Sequence, residues 1–378
     1  MPLWHKAKPP GCDLHIMALP VPDAAFWRGR RVFLTGHSGF VGGWTALWLR
    51  QMGAEVHGFS LPPPTEPSFF AATELPIRLA ASHTGDIRER EALARATAEA
   101  KPSIVLHLAA QPLVRLAFHD PVATFATNVM GTAHLLDAVR NLTGLAAVVV
   151  FTTDKVYRNL NWPWPYRESD ALGADEPYSG SKSGAELVTE AFRNSYFARA
   201  ETPVPVVTVR AGNIIGGGDW AQDRIVPDAV RAFSAKQPLI IRNPKAVRPW
   251  QHVLDAVRGL LLIAERTAAK KLPAEIESWN LGPGDAETTP VSDLVDQLVK
   301  IWGEGARWEH RGDNAVKEAH FLTLDSHQAA RHLGWAPVWR VSAAVQHSVS
   351  WYRGFLAGDD MYSASLAEIE RHIADVAP

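Results

Sequence analysis

From Arg31 to Arg210, short β-branched runs alternate with amphipathic stretches, and a chain patterned this way folds as a parallel sheet wrapped by helices. The first run is Arg31 to Thr35. Val41, Trp44, Leu47 and Trp48 then fall on one face of a helix predicted over 40–52, and Gly53 is placed to end it. Further strands are predicted at 55–59, 103–108, 146–151 and 205–210, with helices at 88–100, 121–141 and 178–197. After about Gly216 the pattern loosens around Pro238, Pro244, Pro249 and Pro283. The reading is α/β: a doubly wound sheet over 26–215, then a smaller lobe over 216–378 that closes on the carboxyl edge, where such sheets bind ligands. Some strand or helix exchange between the two parts is expected. Residues 1–25 lack either periodicity and read as a poorly ordered leader, with Met17 as the expected translation start.

With 47% hydrophobic and 21% charged residues the chain can bury a sizeable core. Lys and Arg number 38 against 40 Asp and Glu, a net charge of -2 that offers no footprint for nucleic acid or an anionic membrane. A small-molecule partner is expected. No apolar run approaches the ~20 residues of a membrane span. The single Cys12 forbids an intramolecular disulfide and suits a reducing cytoplasm. The 15 histidines show no paired-ligand spacing, so no metal site is expected.

Directly after the first strand comes Gly36-His37-Ser38-Gly39-Phe40-Val41-Gly42, a G-x-x-G-x-x-G turn opening a helix. Glycines let backbone approach a diphosphate, and the helix N-terminus presents unpaired N–H groups with a favourable dipole. In the first βα unit this context marks a Rossmann-like dinucleotide site. An acidic residue usually ends the second strand of NAD-binding proteins, and here the residue is Ser60. The loop over 61–70 carries no Lys or Arg to neutralise a 2′-phosphate, so NAD is the expected cofactor. Asp86 and Ile87 are candidates for the adenine, and Ala109, Ala110 and Gln111 end the next strand along the cofactor path.

Tyr178 and Lys182 lie four residues apart, hence on one helical face. A tyrosine pKa of ~10 is too high for a general base at neutral pH, and the lysine cation is expected to lower it. Upstream, Thr153, Asp154 and Lys155 end the fifth predicted strand and reach the same edge.

These motifs resemble the extended short-chain dehydrogenase/reductase family. The segments TGHSGFVGGW, HLAAQPLVR, TNVMGT, TTDKVY, PYSGSK, RAGNIIGGGDWAQDRIVPD and RPWQHVLD are similar, in order and spacing, to its nucleotide-sugar dehydratase group. The resemblance implies a closed cycle on one bound NAD with CDP-glucose as substrate. Tyr178, aided by Thr153, removes the carbon 4 hydroxyl proton as hydride leaves, and Lys182 also holds the nicotinamide ribose. Asp154 protonates the departing carbon 6 hydroxyl, and hydride returns to carbon 6. Related dTDP- and GDP-sugar enzymes have Glu where this chain has Lys155, which leaves two roles open: base toward carbon 5, or cation stabilising an enolate.

For the substrate diphosphate the candidate cations are Arg224, Arg242 and Arg248, with Arg115 and Asn128 weaker. The resemblance places Arg248 at the diphosphate and Asn213 on the substrate. Trp162, Trp164 and Tyr166 either wall the sugar pocket or serve packing. Family members dimerise through the Tyr-bearing helix, and Ala185, Leu187, Val188 and Ala191 would allow a homodimer or a tetramer. The rival readings are a nucleotide-sugar 4-epimerase, which needs no acid at carbon 6, and an NAD-sensing regulator without catalysis.

Overall fold

The computed structural model describes residues 19–173, 175–284, 288–303, 305–312 and 322–376. Met17 and the rest of the leader up to residue 18 lie outside the described residues. Strand β1 (Arg31–Thr35) leads to helix α1 (Phe40–Gln51), then β2 (Glu55–Ser60), β3 (Ala81–Thr84), α2 (Arg90–Ala100) and β4 (Ile104–His107). Short helices α3 (Val114–His119) and α4 (Pro121–Phe125) precede α5 (Gly131–Val139), β5 (Ala147–Phe151), the long α6 (Pro177–Phe192) and β6 (Val206–Ala211). Beyond them come α7 (Ile225–Ser234), α8 (Val253–Ala268), β7 (Ser278–Leu281), α9 (Val291–Trp302), α10 (Val341–Ala357) and α11 (Met361–Val376).

The seven strands form one parallel sheet in the order β7-β6-β5-β4-β1-β2-β3, the doubly wound fold read from the sequence. From β1 the chain winds outward through β2 and β3, then returns to β4 on the other side of β1. That reversal opens a crevice at the carboxyl ends of β1 and β4. Strand residues alternate between two cores. Val32, Leu34, Leu106 and Val149 pack with α1 and α8, while Phe33, Val105, Val148 and Val150 pack with α2 and α5.

Strand β3 was not anticipated: Ala81-Ser82-His83-Thr84 is a half-exposed edge with no β-branched apolar run. Strand β7 reaches the sheet from beyond Gly216 and pairs with β6. Helix α8, which precedes it, approaches so closely that a Cβ on Gly259 would lie 2.5 Å from Leu281. The helix expected over 121–141 is interrupted by a π-helical turn, Ala126–Met130. The wider turn aims Asn128 inward, where its Nδ2 donates to Ser181 Oγ at 2.8 Å and to the Gln111 carbonyl at 3.1 Å.

Candidate active site

At the crevice the chain comes closest to itself where glycine is obligatory. Gly36 has φ +79°, and a Cβ there would lie 2.6 Å from Ala109 N; one on Gly42 would lie 2.0 Å from the Gly36 carbonyl oxygen. His107 fixes this fork from below, its Nδ1 2.7 Å from Thr35 Oγ1 and its Nε2 3.0 Å from Thr132 Oγ1. Burial and the nearby Lys182 push its pKa down to about 3, so the ring is neutral. Helix α1 starts behind Gly39 with no side-chain cap. Backbone donors, a helix dipole and space cleared of Cβ atoms fit a dinucleotide diphosphate.

Beside the glycine turn, Ser38, Ser60, His37 and Ser82 form a web of neutral groups. Ser60 Oγ donates to Ser38 Oγ at 2.8 Å and lies 3.1 Å from His37 Nδ1, whose other ring nitrogen is 2.9 Å from Ser82 Oγ. Burial pushes the His37 pKa down to about 4. Phe40 and Val41 occupy the first turn of α1. Asp86 is engaged by Arg88 at 2.6 Å, which holds its carboxyl below the usual range, and Ile87 is buried against Gly131. Ala109 N–H donates to Thr35 Oγ1 at 3.2 Å; Ala110 follows it, and Gln111 N–H donates to Asn128 Oδ1 at 2.8 Å. Asn128 is thus occupied in bracing the cofactor loop against α6.

Helix α6 begins with Glu176 as N-cap, its carboxylate accepting from Tyr178 N at 2.7 Å and Ser179 N at 2.8 Å, and Pro177 in the first turn. This start sets Tyr178 and Lys182 on one buried face, facing the end of β5. Burial pushes the Tyr178 phenol above its ordinary pKa; Lys155, a hydrogen bond with Thr153 and Arg224 pull it back, and Asp154 opposes them. The sequence assigned that attraction to Lys182. In the structure Lys182 Nζ instead donates to the Phe151 carbonyl at 3.1 Å, and burial brings its pKa down to about 8 against the pull of Glu186.

Asp154 is fully buried. Its Oδ1 accepts from Thr153 Oγ1 at 3.0 Å and lies 3.4 Å from Lys155 Nζ, while its Oδ2 has no protein partner. A Cβ on Gly212 would lie 2.1 Å from that Oδ2, and on the next residue Asn213 Nδ2 is also buried without a partner. One acceptor and one donor are thus unpaired close to the Gly212-Asn213 backbone.

The candidate diphosphate ligands separate. Arg248 is 7% exposed and donates to its own neighbour's carbonyl, Val247 O, at 2.9 Å. Arg224 pairs with Asp219 at 3.0 Å and faces Tyr178. Arg242 and Arg115 both reach Asp223 Oδ1, at 3.2 and 3.4 Å. Of the aromatic trio, Tyr166 is buried and stacks on Tyr157 with centroids 5.2 Å apart, Trp162 packs beside it, and Trp164 is exposed.

Sequence reasoning missed Thr152, Glu186, Thr208 and Arg210, a charged cluster directly beneath this edge. The signal was present, because Glu186 stands four residues after Lys182 on the same helical face.

The NAD dependent epimerase/dehydratase family profile matches residues 32–282. The chain belongs to that family. NAD is therefore the cofactor, and the protein is an enzyme. The resemblance read from the motifs holds over 93% of the chain. The CDP-glucose 4,6-dehydratase of Salmonella typhimurium (strain LT2) is 47% identical over 93% of this chain and 98% of its own. The dTDP-glucose 4,6-dehydratase 1 of Escherichia coli (strain K12) is 24% identical over 71% of this chain and 77% of its own. Among epimerase/dehydratase folds, UDP-glucose 4-epimerase from Brucella ovis in complex with NAD superposes with a TM-score of 0.73 at 22% identity, covering 85% of this chain and 98% of that one.

Proposed function

We propose that the protein is a 4,6-dehydratase converting CDP-glucose to CDP-4-keto-6-deoxyglucose and water. The observation that carries this is a buried Asp154 paired with a half-buried Lys155 beside Tyr178, in a chain 47% identical to an enzyme of that name. NAD, held by the backbone from Gly36 to Gly42, would supply the hydride acceptor and donor of the cycle. Tyr178, held by Thr153, accepts the carbon 4 hydroxyl proton, and Lys155 and Arg224 supply the positive field that its buried phenolate needs. The ketone acidifies carbon 5; once Tyr178 has taken its proton, Lys155 passes one of its own to the Asp154 carboxylate 3.4 Å away and, as the free amine, accepts the carbon 5 proton. Asp154 donates a proton through its unpartnered Oδ2, so that the carbon 6 hydroxyl leaves as water. Lys155 then returns that proton to carbon 5 and regains its charge from the Tyr178 hydroxyl, which restores the phenolate. Asn213 and Arg248 hold the substrate, with Arg242 at the rim, whereas Arg224 acts on Tyr178 rather than on the diphosphate.

Incubation with NAD and CDP-, dTDP-, GDP- or UDP-glucose, followed by NMR, tests this. A 4-keto-6-deoxy sugar from the CDP substrate alone supports it; a galactose epimer instead overturns it in favour of a 4-epimerase. Lys155→Met should abolish solvent-deuterium exchange at carbon 5, and unchanged exchange removes Lys155 from the chemistry.

We also propose a homodimer. Leu116, Phe118, Val122, Phe125 and Leu187 are exposed on α3, α4 and α6, which pack together and leave one apolar face. Ala191 lies on the exposed side, whereas Ala185 is buried and Val188 packs inside. Light scattering showing a monomer would remove this proposal. A single cysteine, together with no described helix long and apolar enough to cross a membrane, supports a cytoplasmic location.

A further inference from the structure

Glu186 is buried at 4% exposure and receives four hydrogen bonds. Thr152 Oγ1 donates to its Oε1 at 2.5 Å and Arg210 Nε at 3.1 Å; Thr208 Oγ1 donates to its Oε2 at 2.7 Å and Arg210 Nη2 at 2.8 Å. One turn earlier on α6, Lys182 Nζ holds the carbonyl of Phe151, the residue before Thr152. Two successive turns of the helix therefore clip the last residue of β5 and the one after it, just before Thr153 and Asp154. Nothing in the proposed reaction touches Glu186, yet it is the anion that faces the buried Lys182.

We propose that Glu186 is a positioning residue that acts through Lys182: it keeps that ammonium charged and, through Thr152, fixes the strand end that carries Thr153 and Asp154. The inference rests on the proposed function, with Lys182 holding the nicotinamide ribose beside Tyr178. Burial favours the neutral amine, and a carboxylate one helical turn away favours the cation. The fully bonded carboxylate cannot swing away or take up a proton cheaply, so its charge is constant across the working pH range.

The test is the pH profile of kcat in Glu186→Gln. The amide retains hydrogen-bonding atoms for Thr152 and Thr208 but loses the charge. The alkaline limb, where Lys182 deprotonates, should move to lower pH by about one unit or more. NADH binding, followed by its fluorescence, should weaken over the same range whatever sugar nucleotide is the substrate. Thr208→Val, which removes one hydrogen bond and no charge, should leave both curves in place. Should the single variant fail to fold with Arg210 left unpaired, Glu186→Gln with Arg210→Gln removes both charges, and the alkaline limb should still shift downward. Superimposable wild-type and Glu186→Gln curves for both turnover and NADH binding overturn the proposal. A wild type that does not turn over CDP-glucose, with the NADH shift still present in Glu186→Gln, leaves it standing and counts against the dehydratase reading alone.

Discussion

Two parts of this molecule bury charge, and they do so differently. Beneath the catalytic edge, Glu186, Arg210, Tyr157 and Asn280 satisfy one another: Arg210 Nη1 donates to Tyr157 Oη at 2.9 Å, and Tyr157 Oη donates to Asn280 Oδ1 at 2.6 Å. Behind the lobe, α8, α10 and α11 enclose Asp255, Arg258, His252, His347, Glu368 and His372. There His252 Nε2, Glu368 Oε1, His372 Nδ1 and Arg258 Nε lack hydrogen-bond partners. Asp255 nevertheless accepts from Val338 N at 2.7 Å and Trp339 N at 3.2 Å, with His372 Nε2 at 3.0 Å. A saturated network holds its charges at every pH near neutrality. An unsaturated one answers to protons, and the contrast separates chemistry from stability.

The largest effect belongs to the front. Tyr178→Phe should lower kcat by about 10²- to 10⁴-fold with the unfolding midpoint unchanged, measured by turnover and urea titration. At the rear the pattern should reverse. Asp255→Asn leaves Arg258 and His372 without their anion and should cost roughly 3 kcal/mol or more, while kcat per folded molecule holds. Lost turnover in the folded variant would mean that the two regions are coupled.

A smaller effect reads the rear cluster's titration. Burial pushes Glu368 up to about 8, against His347, His372 and Arg371, and it lies 3.3 Å from His252 Nε2. A carboxyl raised on folding binds its proton more tightly in the native state. Its contribution is complete below the unfolded value and is lost as pH rises to about 8. The histidines act in the opposite sense: burial lowers His252 and His347 to about 4 and also lowers His372, so their contribution is lost as pH falls below 6.5. Between pH 6.5 and 8 Glu368 therefore governs the rear cluster. Wild-type stability should decline there by up to about 2 kcal/mol, and Glu368→Gln should flatten the decline. Parallel urea curves for the two proteins would show that Glu368 is ionised when folded. Least of all, Tyr157→Phe should cost about 1 kcal/mol, with no pH dependence in that window.

The same contrast explains what sequence could reveal. Strands β1, β2, β4, β5 and β6 announce themselves because buried parallel strands need β-branched runs, and the glycine turn and Tyr178-Lys182 declare themselves by spacing. Strand β3 does not, because an edge of Ser82 and His83 carries no apolar run. Arg224 looked like a diphosphate ligand until the fold set Asp219 beside it. The rear cluster is illegible in one dimension: His252, His347 and Glu368 stand far apart in sequence and meet only when three helices pack. Glu186 lies between these cases, visible by its helical spacing yet mute about the partners that β5 and β6 bring to it.

Strand β7 has a consequence for anyone recombining relatives of this enzyme. A chimera joined at residue 216 would take the sheet's terminal strand and α8 from one parent and β6 from the other. The graft would have to rebuild the register Ser278 to Thr208 through Leu281 to Ala211, together with the Asn280 amide that meets Tyr166. A fragment ending before β7 would instead expose β6 as a bare edge, ready to pair with another copy. Exchange between relatives therefore belongs to the segments that connect the strands, where substitutions leave the sheet whole.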